Sequence, residues 1–166
     1  MISVAPVVMV DYKEGISMTN ASILQLTNTA IGAVETNENM PLGIITVRYP
    51  FDVSNCYPTY TVTSSTSDTL LINRAGTYNF TYSASVVAGA AGIVTLALKV
   101  NGITQYTVSE TATADGTVNL TIPYEIYVPC NCQSAPNNVP AYIQVQSTGV
   151  AITSGTSNLI ISKEQN

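Results

Sequence analysis

Histidine is absent from this chain of 166 residues, and charged residues make up only 9% of it. Without histidine the chain has no Ser-His-Asp or Cys-His catalytic arrangement, no histidine metal ligand and no usual general base. Ser-Lys and paired-carboxylate mechanisms stay open, the latter with Glu110 and Glu125 as the pair. Because the acidic residues fall mostly in turns or on outward strand positions, we interpret them as surface charge. We expect no enzyme, no catalytic residue and no cofactor.

Basic residues are also scarce: lysine and arginine together number five, and the net charge is −5. A nucleic-acid-binding surface needs clustered cations. Here Lys13, Arg48, Arg74, Lys99 and Lys163 stand singly in the sequence, so we expect no nucleic-acid partner. A chain with so few charges suits a protein that covers much of its surface against neighbours, because free surfaces usually carry more charge.

Long apolar runs are missing as well. No segment reaches the roughly 20 apolar residues that cross a bilayer, so we expect no membrane association. The first ten residues are apolar, but they lack a basic region and are interrupted by Pro6. This favours an apolar arm or a first strand over a cleaved signal peptide.

Cysteine occurs three times, as Cys56, Cys130 and Cys132. An odd number does not make a disulfide framework, and it suggests synthesis in a reducing cytoplasm. A four-cysteine zinc site would need a second closely spaced pair, although a trimer could bring copies together on its axis. A bridge from Cys56 to Cys130 or Cys132 also stays open. Free thiols without a metal are our expectation.

Two-residue alternation and β-branched residues dominate the chain, which predicts an all-β fold. Asn101-Gly102 and Asp115-Gly116 are hairpin turn signals, and Pro123 indicates an edge strand or a bulge. The spacing of strands and turns is the pattern of an antiparallel sandwich or jelly roll. Strands are predicted over 44–49, 60–63, 69–73, 77–86, 93–100, 103–113, 120–128, 141–147 and 158–162.

The first forty residues are less regular, with Asn- and Thr-rich stretches around short apolar runs. We therefore predict a docking arm over 1–41 and a jelly-roll domain over 42–166. An apolar segment that its own domain does not clearly bury is explained by a partner that covers it. The arm residues predicted to make such contacts are Val7, Val8, Ile23, Leu24 and Leu26.

Tyrosine occurs ten times, and tryptophan does not occur. Tyr78 and Tyr82 share one face of a predicted strand and should lie in the core. Tyr106, Tyr127 and Tyr142 fall opposite the apolar stripes and should be exposed. Exposed tyrosines are enriched at protein interfaces, so these three are candidates for subunit or host-glycan contacts. Scattered surface aromatics remain the alternative interpretation.

One ordered set of residues resembles the C1q/TNF-like jelly roll in the type found in bacteria and phages. The family pattern is an apolar strand, then Gly-x-Tyr-x-Phe-x-Tyr, then a strand that runs into Asn-Gly. The chain has Gly76, Tyr78, Phe80 and Tyr82 followed by Asn101-Gly102, and its ending over 156–163 is similar to the family's last strand. The resemblance covers about 42–166, and it departs from the family in the longer Cys- and Pro-containing loop near residues 128–138.

The resemblance implies a homotrimer in which residues 42–166 serve trimerisation and presentation, because members of this family are mostly trimers. They form heads on collagen-like stalks, spore-surface domains of bacilli, and head fibres or decoration proteins of phage capsids. The sequence shows no Gly-x-y stalk, so the phage virion fits best. The hypothesis is a capsid decoration or head-fibre protein, made in the host cytoplasm and bound to the major capsid protein or other virion subunits. The alternative is a bacterial surface or spore-coat binding module that recognises glycans.

Overall fold

The computed structural model describes residues 22–49, 60–63, 67–129 and 140–163. Over these residues the chain is an all-β sandwich of two five-stranded antiparallel sheets. Its strands are β1 (Ile23–Ile31), β2 (Ile44–Tyr49), β3 (Tyr60–Val62), β4 (Leu70–Ile72), β5 (Gly76–Ala88), β6 (Gly92–Val100), β7 (Ile103–Ala112), β8 (Thr117–Val128), β9 (Ala141–Ser147) and β10 (Ile152–Lys163).

Sheet I has the strand order β2-β1-β10-β5-β8, and sheet II has the order β3-β4-β9-β6-β7. All hydrogen-bonded neighbours are antiparallel. Long-range crossovers between two packed sheets are the arrangement of a jelly roll. The jelly-roll sandwich expected from the alternation of the sequence is confirmed.

The core lies between the two sheets and follows the two-residue period of the strands. In β5, Tyr78, Phe80 and Tyr82 point inward with Ala84 and Val86, and the residues between them point outward. On β8 the inward positions are again the alternate ones, from Val118 to Val128. The predicted burial of Tyr78 and Tyr82 is confirmed. Leu96 and Leu98 of β6 close the core from sheet II.

The two predicted hairpin turns have different outcomes. Asn101 and Gly102 both have positive φ, at 52° and 79°, and they join the paired strands β6 and β7. Asp115-Gly116 does not make a hairpin, because β7 is an edge of sheet II and β8 is an edge of sheet I. It is a corner between the sheets, and the Asp115 N–H donates to the Ala88 carbonyl at the end of β5.

Pro123 lies on β8, opposite Thr81 of β5. Proline has no N–H group to donate to a neighbouring strand. β8 is an edge strand of sheet I, and on the side away from β5 a proline leaves no hydrogen bond between strands unmade. This position agrees with the edge strand indicated by the sequence.

The predicted boundary at residue 41 is wrong for residues 22–41. Here β1 is an interior strand of sheet I, between β2 and β10, and Leu24 and Leu26 are completely buried. Val34 and Met40 of the following connection are also in the core. The pairing of β1 with β10 joins residues more than a hundred positions apart, so no local turn signal in the sequence predicts it. Residues 1–21 of the predicted arm lie outside the described residues.

Candidate functional site

The outer face of sheet I carries the residues that best fit an interaction site. One row of outward side chains crosses the whole sheet in register: Val47, Gln25, Ile160, Thr81 and Pro123. Side chains on adjacent strands of one face lie within contact distance of each other. The row is therefore a continuous strip from the β2 edge to the β8 edge.

Apolar side chains are exposed at one end of this face. Ile160 of β10 is 40% exposed, and Ile23 and Val47 beside it are exposed to a similar degree. Ile44 extends the apolar surface along the edge strand β2, whereas Ile45 pairs with the buried Leu26 and lies on the inner side of that strand. Single exposed apolar residues are ordinary, but a contiguous group marks an interaction surface.

The remainder of the face is polar without being charged. The Gln25 amide Nε2 donates to Asn158 Oδ1 at 3.0 Å, and the Ser83 and Thr121 hydroxyl oxygens lie 3.2 Å apart. Among the outward positions of the described strands of sheet I, Glu125 is the single charged residue. A face with so few charges can be covered by a protein partner at little cost of desolvation.

A depression of about 370 Å³ lies on the polar half of the face. It includes Asn28, where the pairing of β1 with β10 shifts register between Asn28 and Ile31. Bulges of this kind bend a strand and re-aim its side chains. The polar side chains around the depression are those of Thr27, Asn28, Thr29, Ser83, Ser85, Asn119, Thr121, Thr156, Ser157 and Asn158.

An aromatic pair marks the adjacent edge of the sandwich, where β7 and β8 face each other across the two sheets. The rings of Tyr106 and Tyr124 lie 6.1 Å apart at an angle of 49°. The Tyr124 hydroxyl donates to Gln105 Oε1 at 3.3 Å. Tyr106 pairs with Leu98, an inward position, so its predicted place opposite the apolar stripe is wrong. It is nevertheless exposed, as predicted, because β7 is an edge strand.

The structure does not bring the three candidate tyrosines together. Tyr127 is 70% exposed on the outer face of sheet I, opposite Thr77. Tyr142 is exposed on sheet II, where its backbone N–H bonds to Asn101 Oδ1 at 2.9 Å. Their exposure agrees with the sequence analysis, and their interface role stays a prediction.

The other candidate residues separate into three groups. Ile23 is part of the exposed apolar surface, whereas Leu24 and Leu26 point into the core and are not available to a partner. Val7 and Val8 lie outside the described residues. Sequence reasoning did not identify Val47 and Ile160 as exposed interface candidates. In β10, Ile160 lies between Leu159 and Ile161, and the inward direction of those two neighbours indicates that Ile160 faces outward.

The paired-carboxylate alternative finds no support in the geometry. Glu110 is on β7 of sheet II, opposite Val94, and Glu125 is on β8 of sheet I, opposite Asn79. The two lie toward opposite ends of the sandwich. Among the described residues no group of three or more Cys, Asp or Glu side chains could hold a metal ion. The three cysteines lie outside those residues.

A buried tyrosine cluster ties the two sheets together at the end where β1 begins. The rings of Tyr60 and Tyr78 meet edge to face at 6.0 Å. The Tyr60 hydroxyl donates to the Ser22 carbonyl at 3.1 Å, and the Tyr78 hydroxyl donates to the Arg74 carbonyl at 2.7 Å. Burial raises the pKa of Tyr60 to about 12, against the opposing effect of its bonds to Ser22 and to the Lys163 backbone.

The pKa of Tyr78 is raised as well, by burial and by the neighbouring Tyr60, while Arg74 opposes the rise. Burial raises the pKa of Tyr82 to about 12, with the Ser157 hydroxyl opposing it. That contact is not a well-formed hydrogen bond, because both hydroxyls are buried without a partner of good geometry. All three tyrosines are thus neutral core groups at physiological pH.

Comparison with known proteins gives the fold and no family membership. No model of a known protein family matches the chain, and no curated protein matches it. Among solved structures, the chain is similar to Eiger TNF from S. frugiperda, with a TM-score of 0.61 and 12% identity over 88% of this chain and 92% of the other. It is similar to the globular domain of zebrafish complement 1qA protein, with a TM-score of 0.59 and 6% identity over 87% and 99%.

A third similar structure is the PRD1 vertex protein P5, with a TM-score of 0.52 and 16% identity over 86% of this chain and 96% of the other. Identities this low establish the fold alone. The fold is the C1q/TNF-like jelly roll that the sequence resembles. Among the described residues no helix is long and apolar enough to cross a membrane.

Proposed function

We propose that this chain is a non-enzymatic structural protein that forms a homotrimer and decorates a phage capsid, as a head fibre or decoration protein. The observation that carries the proposal is the nearly uncharged outer face of sheet I, with its exposed Ile23, Val47 and Ile160. The fold supports a non-enzymatic role, since it is shared with a TNF, a C1q globular domain and a viral vertex protein.

Two surfaces that do not overlap support the proposed trimer. The apolar surface lies toward the β2 edge of sheet I, whereas the Tyr106–Tyr124 pair lies at the β7 and β8 edges. A contact between one surface and the other on the next copy is heterologous, and it closes into a ring when the rotation fits. Aromatic anchors seated on an apolar surface are typical of the centre of an interface.

The virion location is proposed from the likeness to the PRD1 vertex protein and from the low charge of the chain. In this proposal residues 1–21 are the docking arm, and Val7 and Val8 are contact residues on the major capsid protein. The arm joins the sandwich at Ser22, the first described residue. Three arms in one trimer would bind with avidity, so modest contacts per arm would suffice.

Light scattering and native mass spectrometry of the full chain test the assembly, and they should give a trimer at micromolar concentration. Immunogold labelling of purified particles tests the location, and gold should mark the capsid surface. A stable monomer would refute the trimer. Particles that carry no label, from a host that expresses the protein, would refute decoration.

The polar depression on sheet I favours a second candidate, a bacterial surface or spore-coat module that binds glycans. Its hydroxyl and amide side chains, without a charged group among them, fit a neutral saccharide. Saturation-transfer NMR with neutral oligosaccharides should show contact with the protein if this function holds. The absence of transfer from a panel of such sugars would exclude it.

A further inference from the structure

All the lysine and arginine residues that the structure describes lie at one end of the sandwich, which we call the proximal end. It is the end where β1 begins and β10 ends. Arg48 is near the end of β2, Arg74 is in the connection from β4 to β5, Lys99 is near the end of β6, and Lys163 ends β10. They stand singly in the sequence, and only the antiparallel topology brings them to the same end.

Three of these residues have contacts that hold them to the folded structure. The Arg48 guanidinium Nη2 donates to the Tyr60 carbonyl at 2.5 Å. The Arg74 carbonyl accepts the Tyr78 hydroxyl at 2.7 Å. The Lys163 backbone N–H bonds to the Ser22 carbonyl at 2.9 Å, and its side chain crosses Gly76, where an added Cβ would lie 2.5 Å from Cε.

The opposite end, which we call the distal end, carries carboxylates. No lysine or arginine of the described residues lies there. The carboxylates at or near the distal end are Glu35, Glu38, Glu110 and Asp115, whereas Glu125 of β8, opposite Asn79, lies toward the proximal end. Because like charges repel, an anionic partner is disfavoured at the distal end and favoured at the proximal end, where the four cations outnumber Glu125.

We propose that the proximal end is a docking surface for a protein surface rich in Asp and Glu, and that the distal end is presented away from it. This inference rests on the proposed function and gives the chemistry of the docking partner. The proximal cations come from strands of both sheets and do not form the continuous row that a phosphate backbone requires.

The test measures binding of the full-length chain to immobilised poly-L-glutamate at low and at high salt, by interferometry. The full-length chain is used because the acidic residues Asp52 and Glu164 contribute to its net charge. The wild-type protein should bind at low salt and be released at high salt, because surface ion pairs are screened. Because the isoelectric point of the protein is about 4.3, binding to an acidic polymer would require that its positive charges be segregated on one part of the surface.

Two double variants lower the net charge equally but at opposite ends. The variant Lys99→Gln with Lys163→Gln should weaken binding about tenfold, as expected for two lost surface ion pairs. The variant Ala90→Glu with Ala114→Glu places its charges in exposed distal loops and should bind like wild type. An equal loss in both variants would show that only net charge matters, and no wild-type binding would refute the surface.

The same experiment separates this inference from the trimer and from other partners. Light scattering on each sample gives the oligomeric state, so a monomer that binds refutes the trimer alone, and a trimer that does not bind refutes the docking surface alone. Single-stranded DNA and vesicles containing phosphatidylserine are assayed alongside. Tighter binding to either than to poly-L-glutamate would overturn the acidic protein surface as partner.

Discussion

Replacing Ile160 by aspartate should abolish the proposed trimer without unfolding the subunit. Ile160 lies at the centre of the row that crosses sheet I, and 40% of the residue is exposed. Full burial of such a side chain is worth about 1.5–3 kcal/mol, so covering the exposed part contributes about 1 kcal/mol at each contact. A buried aspartate would add a desolvation cost of about 2 kcal/mol or more.

The combined effect of about 3 kcal/mol weakens each contact by roughly a hundredfold, and the loss occurs at every contact of the ring. The variant should be a monomer at micromolar concentration by light scattering. Its free energy of unfolding should fall by only about 1 kcal/mol, because the side chain points away from the core. Circular dichroism should still give the spectrum of a β protein.

The matched control is Ile93→Asp, which makes the same substitution on the outer face of sheet II. Ile93 is 55% exposed, and it also belongs to an interior strand of its sheet. This variant should remain a trimer. A trimeric Ile160→Asp protein would refute the assignment of the interface to sheet I, and dissociation of both variants would show that the substitution acts through stability.

Three further predictions follow from the fold. Removing residues 1–21 should leave a folded trimer that no longer decorates particles. Removing residues 1–41 should unfold the protein, because this deletion takes away an interior strand of sheet I. Sedimentation velocity and near-ultraviolet circular dichroism distinguish the folded trimer from the unfolded chain. Leu26→Ala should lower the free energy of unfolding by about 2–5 kcal/mol in urea titrations, since Leu26 is completely buried, and a loss below about 1 kcal/mol would place β1 outside the core. Absorbance at 295 nm should show Tyr60 and Tyr82 ionising near pH 12. The pKa values of these two tyrosines in the folded protein exceed the unfolded value of about 10. The contribution of the two neutral tyrosines to stability is therefore complete below pH 10 and is lost as the pH rises through 12. Titration of all ten tyrosines near pH 10 in the folded protein would contradict this burial.

The sequence by itself determined the strands and the faces of most of them. Inward and outward positions follow a two-residue period, so the pattern of Tyr78, Phe80 and Tyr82 was sufficient to assign the core face of β5. The turn residues Asn101 and Gly102 fixed the hairpin between β6 and β7. Such signals are local, because they depend on residues that are adjacent along the chain. They give an all-β sandwich, and the ordered motif gives its likeness to the C1q/TNF-like jelly roll.

Pairing between distant strands was decided only by the tertiary structure. β1 lies beside β10, with Leu26 opposite Leu159, so residues 23–31 of the predicted arm form an interior strand of sheet I. Asp115-Gly116 has the residues of a hairpin turn but joins two sheets, because the partner of β8 is β5. No local signal specifies which of two edges a strand will join.

The surface properties that carry function also arise from this long-range pairing. Val47 and Ile160 are more than a hundred residues apart in the sequence, yet they flank Gln25 on one outer face. Cations that stand singly in the sequence, such as Arg48 and Lys163, meet at one end because successive antiparallel strands reverse direction. Residue types and their period set what each strand buries, whereas the order of strands in the sheets sets which exposed residues become neighbours.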